Sequence, residues 1–390
     1  MRLGRRSSAC LLLTALIAAP FTGASVQLTK IGSYPATPDP NNFDESAAEV
    51  VTYDAGSQRA FVVNAQAATV DILDLSDPTD PMLVDVIDVT GLGGGVNSVA
   101  VREGLVAVAV ENDDAQMPGK VAFYDVDGNF INAVTVGALP DMVAFTPNGR
   151  FVLVANEGEP DDNYTVDPEG SVAIVPANGN LTKLTDADVR IAGFGAFNGA
   201  TLDPSVRIFG PGATVAQDLE PEYIAVDPKG KKAFVICQEN NALLEIDVKS
   251  KSLAAITALG TKDHSLPGNG IDASNRDGAI NIAKWPVQGF YMPDAIAAYK
   301  YRGKTYIVSA NEGDSRDYDG YSEEERGDDL TLDPTAFPDA ATLQLEENLG
   351  RLKTTSANGD TDGDGDFDVF YSYGARSFSI WSARGDLVYD

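Results

Sequence analysis

Short runs of β-branched and aromatic residues recur along the chain in pairs, each pair joined by a tight-turn signal. The third copy reads Pro140-Asp141-Met142-Val143-Ala144-Phe145, then Thr146-Pro147-Asn148-Gly149, then Phe151-Val152-Leu153-Val154-Ala155-Asn156-Glu157. Related copies occupy residues 49–64, 97–112, 221–240 and 293–312. Pro presets φ at the first central turn position and Gly tolerates positive φ, so each pair predicts an antiparallel hairpin. Third strands follow at Thr69-Val70-Asp71-Ile72, Lys120-Val121-Ala122-Phe123 and Leu243-Leu244-Glu245-Ile246.

Phe61, Val106 and Phe151 are separated by 45 and 45 residues, the period of a propeller blade. Near-continuous apolar strands such as 105–110 fit sheets buried on both faces, and amphipathic helical periodicity is almost confined to residues 339–352. The expected fold is therefore all-β: a β-propeller of six to seven blades, seven in the full-length protein, with this chain truncated or incompletely closed at its C-terminus. The later gaps of 83, 72 and 72 residues, measured at Phe234, Tyr306 and Phe378, imply insertions at about 176–220, 257–292 and 313–374, or an unrecognised blade.

The start of the chain changes the picture of where it works. Arg2, Arg5 and Arg6 precede a short apolar run, and Gly23, Ala24 and Ser25 offer a cleavage site. Residues 1–24 read as a signal peptide and 25–390 as the propeller domain, with Sec and twin-arginine routes both open. Periplasm, cell surface and extracellular medium are the expected locations, with no transmembrane segment in the mature chain. Cys10 lies in the signal segment, so Cys237 is left with no internal disulfide partner and, mid-strand in an apolar run, reads as core.

Twenty-eight basic against 58 acidic residues give a net charge of −30. Such a field repels nucleic acid and favours cations. The lone histidine, His264, argues against a histidine-rich zinc site or a Ser-His-Asp triad and reads as an ordinary loop residue.

Two acidic constellations remain. Asp360, Asp362, Asp364, Asp366 and Asp368 alternate through a Gly-containing loop, the arrangement that converges carboxylates on one hard cation. The pattern starts like an EF-hand loop, but position twelve is Tyr371 rather than Glu. It predicts a stand-alone loop holding a structural Ca2+. The second set closes equivalent strands: Glu157, Glu159, Glu222, Asp294, Glu312 and Asp314, which rotational repetition would gather on one propeller face as a ligand site. Arg316 and Arg376 would serve there as anion clamps, and a second hard metal at the propeller mouth is a further expectation.

Glu220-Pro221-Glu222-Tyr223-Ile224, Leu266-Pro267-Gly268-Asn269-Gly270, Asn311-Glu312-Gly313-Asp314-Ser315-Arg316 and Asn156-Glu157-Gly158-Glu159-Pro160 resemble the choice-of-anchor I family. These are secreted or surface-attached propellers related to mesenchyme-specific cell surface glycoproteins and atypical alkaline phosphatases. The resemblance implies one of two functions. One is a calcium-binding surface or secreted adhesion module for an extracellular polymer or matrix component. The other is a metal-dependent, alkaline phosphatase-like phosphoesterase acting on a phosphate-bearing small molecule. Glu312, Asp314, Arg316 and Arg376 are its catalytic candidates.

Overall fold

The computed structural model describes residues 27–35 and 48–390; the expected signal peptide over 1–24 and Cys10 lie outside them. Five four-stranded antiparallel sheets follow one another along the chain, each running from an inner to an outer strand. Blade 1 comprises Val51–Asp54, Arg59–Asn64, Thr69–Asp74 and Met82–Asp88. Blade 2 comprises Gly95–Arg102, Leu105–Glu111, Pro118–Asp125 and Phe130–Ala138. Blade 3 is Pro140–Phe145, Phe151–Asn156, Ser171–Pro176 and Arg190–Gly193, and blade 4 is Tyr223–Val226, Lys232–Cys237, Ala242–Asp247 and Ser252–Ala258. Blade 5 is Ala295–Tyr301, Lys304–Asn311, Ser377–Ser382 and Leu387–Tyr389. Successive inner strands lie side by side. The fold is a β-propeller.

Strand alternation explains why these runs carry so few polar residues. In Leu105–Glu111, Val106, Val108 and Val110 pack on blade 1, while Ala107 and Ala109 pack on blade 3. In Phe151–Asn156, Val152 and Val154 face blade 2, and Leu153 and Ala155 face blade 4. Successive side chains point to opposite faces, so a blade sandwiched between two others must be apolar at every position. Each buried Val or Leu adds roughly 1.5–3 kcal/mol of transfer free energy. Cys237 is fully buried between blades 3 and 4, as its apolar run predicts.

The turns follow the sequence signals. Gly149 and Gly230 take positive φ, and their N–H groups donate to Thr146 O and Asp227 O. Glu103-Gly104 and Arg302-Gly303 are both left-handed pairs, the signature of the two-residue hairpin turn whose twist matches the strands.

Among the described residues five four-stranded blades form, and the long gaps hold the strands of a further sheet. Segments inserted before and within blade 5 pair with each other rather than forming a local blade. The resulting five-stranded sheet orders Thr261–Asp263, Val287–Phe290, Phe370–Ser372, Lys353–Thr355 and Glu324–Arg326. Its Val287–Phe290 and Phe370–Ser372 strands are parallel. The helix expected over 339–352 is a single turn, Ala340–Leu343. His264 is a fully buried anchor rather than an ordinary loop residue: Nδ1–H donates to Asn269 O at 2.6 Å, tying down the 265–269 loop.

Candidate functional site

Strand register shows which residues are equivalent. The inner and second strands pair at Val51 with Val62, Val99 with Val108, Val143 with Val154, Ile224 with Val235, and Ile296 with Ser309. Two positions before each inner partner stand Glu49, Asn97, Asp141, Glu222 and Asp294. Three positions after the second-strand partners stand Ala65, Glu111, Glu157, Gln238 and Glu312. The repeat thus delivers acidic side chains to one end of the propeller from every blade. Glu49, Asn97, Asp141, Tyr223 and Asp294 line an axial recess of about 580 Å³.

Beside this recess the acids are crowded. Glu222 is 8% exposed and Glu220 only 1%. Burial pushes the Glu157 carboxyl well above its ordinary range, reinforced by the charges of Glu159, Asp141, Glu239 and Glu220. Glu222 is raised in the same way, by burial and then by Glu239 and Glu157. Burial, then Glu159, Asp294 and Glu49, push Asp141 up to about 7. Glu159 accepts a hydrogen bond from Tyr318 Oη at 3.1 Å. Asp294 sits at the rim, raised by burial and by nearby Glu312 and Asp314, both exposed.

Arg316 does not act as an anion clamp. It is 1% exposed, donating from Nε to Glu220 Oε2 at 3.0 Å and from Nη2 to the Asp218 carbonyl at 2.7 Å, with Nη1 on the Asp218 carboxylate. Its guanidinium also lies over the Phe209 ring at 4.6 Å. Asp218 ends a short helix, Val215–Asp218, capped by Thr214 and Gln217. Arg316 therefore clamps the insertion between blades 3 and 4 to the one within blade 5. Arg376 is exposed but lines a separate recess of about 360 Å³ with Lys262 and His264, so the two arginines do not converge. The strand end before Arg316 needs glycine: Gly313 has φ of 82°, and a Cβ there would meet Gly374 N at 2.0 Å.

The aspartate loop is a different kind of site. Asp360 accepts hydrogen bonds from the N–H groups of Gly363 at 2.7 Å and Gly365 at 3.1 Å, and Asp368 accepts from Thr361 N and Oγ1. Oxygens of Asp360, Asp362 and Asp368 converge within 4.8 Å, as do those of Asp333, Asp366 and Asp368. Asp333 is brought in by the bridge between Leu332 and Phe367 and has no counterpart in the sequence pattern. Asp364 belongs to neither triad, although its charge is the largest cause raising Asp362. Tyr371, at the position of the EF-hand glutamate, stacks on Phe290 at 4.6 Å.

The family model for the choice-of-anchor I domain matches residues 49–390. The chain belongs to that family. No curated protein sequence matches it. Among solved structures it is similar to hydrazine synthase of Kuenenia stuttgartiensis, at 14% identity over 68% of this chain and 80% of that one, with a TM-score of 0.37. A chain of a nidogen/laminin complex aligns at 13% identity over 55% and 65%, TM-score 0.36. KlHsv2 carrying a Gly-Ser linker in place of loop 6CD aligns at 13% over 68% and 63%, TM-score 0.37. Alignments this loose carry no functional argument. The family is that of a surface-associated propeller module.

Sequence reasoning missed Glu49, Asp141, Glu220 and Asp218 as parts of this acidic set. Asp141 was within reach, because Pro140-Asp141, Pro221-Glu222 and Pro293-Asp294 are the same step of the repeat. Glu220 and Asp218 lie in an insertion, where no repeat announces them.

Proposed function

We propose that this choice-of-anchor I propeller is an exported, surface-associated binding module. It presents the acidic axial mouth to an extracellular polymer or matrix partner, and a structural Ca2+ stiffens the 360–368 loop. The observation that carries this reading is the engagement of Arg316 by Asp218 and Glu220. Without it, the rim acids Glu312 and Asp314 have no cationic partner with which to hold a phosphate, and a phosphate would meet a ring of carboxylates. Like charges at a recess repel an anionic substrate and attract cationic groups. Among the described residues no helix is long and apolar enough to cross a membrane.

The test has two arms. The purified full chain is incubated with nitrophenyl phosphate, with and without Ca2+, and passed over insoluble extracellular polysaccharides and matrix proteins. Retention on at least one of these, weakened by Glu157→Gln with Glu222→Gln, and no phosphate release are expected. Metal-dependent release of nitrophenol, abolished by Glu312→Gln, would overturn the binding reading.

A further inference from the structure

The recess of about 360 Å³ that holds Arg376 shares no residue with the axial recess, and its walls are fixed by backbone contacts. His264 Nδ1–H donates to Asn269 O at 2.6 Å, and Asn269 Nδ2 donates to Asp263 O at 2.9 Å, so the 264–269 turn is held closed. Arg376 stands in the left-handed region with φ of 51°, and its N–H donates to Asn311 O at 3.2 Å. A residue other than glycine keeps that backbone only where its surroundings impose it. The base of the Arg376 side chain is therefore set in place before any ligand arrives.

Polar groups of both signs along this lining are without partners. Among the described residues the Arg376 guanidinium and the Asp272 carboxylate make no hydrogen bond or ion pair, whereas Lys262 is paired with Asp390 at 2.8 Å. His264 is fully buried, and because Nδ1 carries the proton its Nε2 is left as a buried acceptor with no donor. Burial, with the charges of Lys262 and Arg376, holds the ring below its ordinary pKa and keeps it neutral. The apolar part of the lining is uncovered: Ile280 is 88% and Ile282 70% exposed, beside the buried Ile271. We infer that this recess binds a small zwitterion with an apolar side chain, the chemistry of an apolar α-amino acid. Arg376 takes the carboxylate, which its planar fork of donors matches. The ammonium supplies the donors that Asp272 and His264 lack, and the side chain covers Ile280 and Ile282, removing apolar surface from water. The volume falls within the range of about 300–1,000 Å³ usual for small-molecule sites. Inorganic phosphate suits the lining less well, since it would set further negative charge beside Asp272 and leave the isoleucines wet.

The test is calorimetric titration of the purified full chain with L-leucine. Parallel titrations use isocaproate, which lacks the ammonium, isoamylamine, which lacks the carboxylate, and inorganic phosphate. Saturable binding of L-leucine is expected, with isocaproate and isoamylamine each weaker by about tenfold or more, the worth of one charge-assisted hydrogen bond. Arg376→Ala and Asp272→Asn should each weaken L-leucine by a comparable factor. Both side chains are exposed, so an unchanged melting curve separates loss of the site from loss of the fold. Arg276→Ala, exposed in the same hairpin but outside the lining, should leave the affinity unchanged. No saturable binding of L-leucine, isocaproate or phosphate bound as tightly as L-leucine, or an affinity indifferent to Arg376 overturns the inference.

Discussion

The acidic mouth of the propeller and the 360–368 loop are both dense in carboxylates, yet they are built in opposite ways. The loop gathers its acids from neighbouring positions, leaves them exposed or half-buried, and satisfies them with its own backbone N–H groups and Thr361. The mouth gathers them from residues as distant as 157 and 239, packs them together, and leaves Glu220 Oε1 without a donor. In the loop, hydrogen bonds from Thr361 hold the Asp368 carboxyl below its ordinary range. At the mouth, burial drives Glu157, Glu220, Glu222 and Glu239 above theirs. Local hydrogen bonds favour charge on Asp368 while the neighbouring Asp364 opposes it on Asp362, whereas at the mouth tertiary burial opposes it on all four acids.

The largest expected effect breaks the ion pairs that hold the mouth acids. Arg316→Ala strands Asp218 and Glu220, both 1% exposed. Breaking a buried ion pair from one side costs about 3–5 kcal/mol. The denaturant midpoint should fall accordingly, whereas Arg376→Ala, at an exposed side chain, should stay within about 0.5 kcal/mol of the parent. Equal effects from the two would show that Arg316 is not the clamp its contacts indicate.

Next in size is the pH dependence of the chelator-stripped protein. An acid whose folded pKa is raised binds more protons folded than unfolded, so stability is full below the unfolded pKa and falls as pH rises through the folded one. For Asp141 that window runs from 3.8 to about 7. Each pH unit across that window is worth about 1.4 kcal/mol, so the stripped protein should lose roughly 4 kcal/mol between about pH 4 and pH 8. Asp141→Asn should flatten the slope. Stability rising over that interval would mean the mouth acids are matched by donors after all.

How much of this was legible in the sequence depends on whether a feature repeats. Phe61, Val106 and Phe151 showed the blades because every blade buries its second strand on both faces. Glu157, Glu222, Asp294 and Glu312 were readable because each occupies a fixed step of the hairpin. The five-stranded sheet was not, since the parallel pairing of Val287–Phe290 with Phe370–Ser372 joins segments some eighty residues apart and leaves no local pattern. Arg316 was visible as a residue but not as a contact. Its partners, Asp218 and Glu220, lie at the end of a four-residue helix in another insertion and just beyond it, and an Asn-Glu-Gly-Asp-Ser-Arg run looks the same whether its arginine faces a ligand or a buried aspartate.

The smallest differences sharpen the comparison inside the loop itself. Asp368 belongs to both converging triads and Asp364 to neither. An ion at a hundred times its dissociation constant stabilises the folded state by about 2.7 kcal/mol. The parent should therefore melt lower after chelation, and Asp368→Asn should erase most of that difference. Asp364→Asn removes a charge that raises Asp362 and Asp366 without joining either triad, so it should leave the calcium-dependent shift in place and alter chelated stability by no more than about 0.5 kcal/mol. Equal losses from both substitutions would mean that alternation along the chain, rather than convergence in space, selects the ligands, and Asp333 would then have no part in the site.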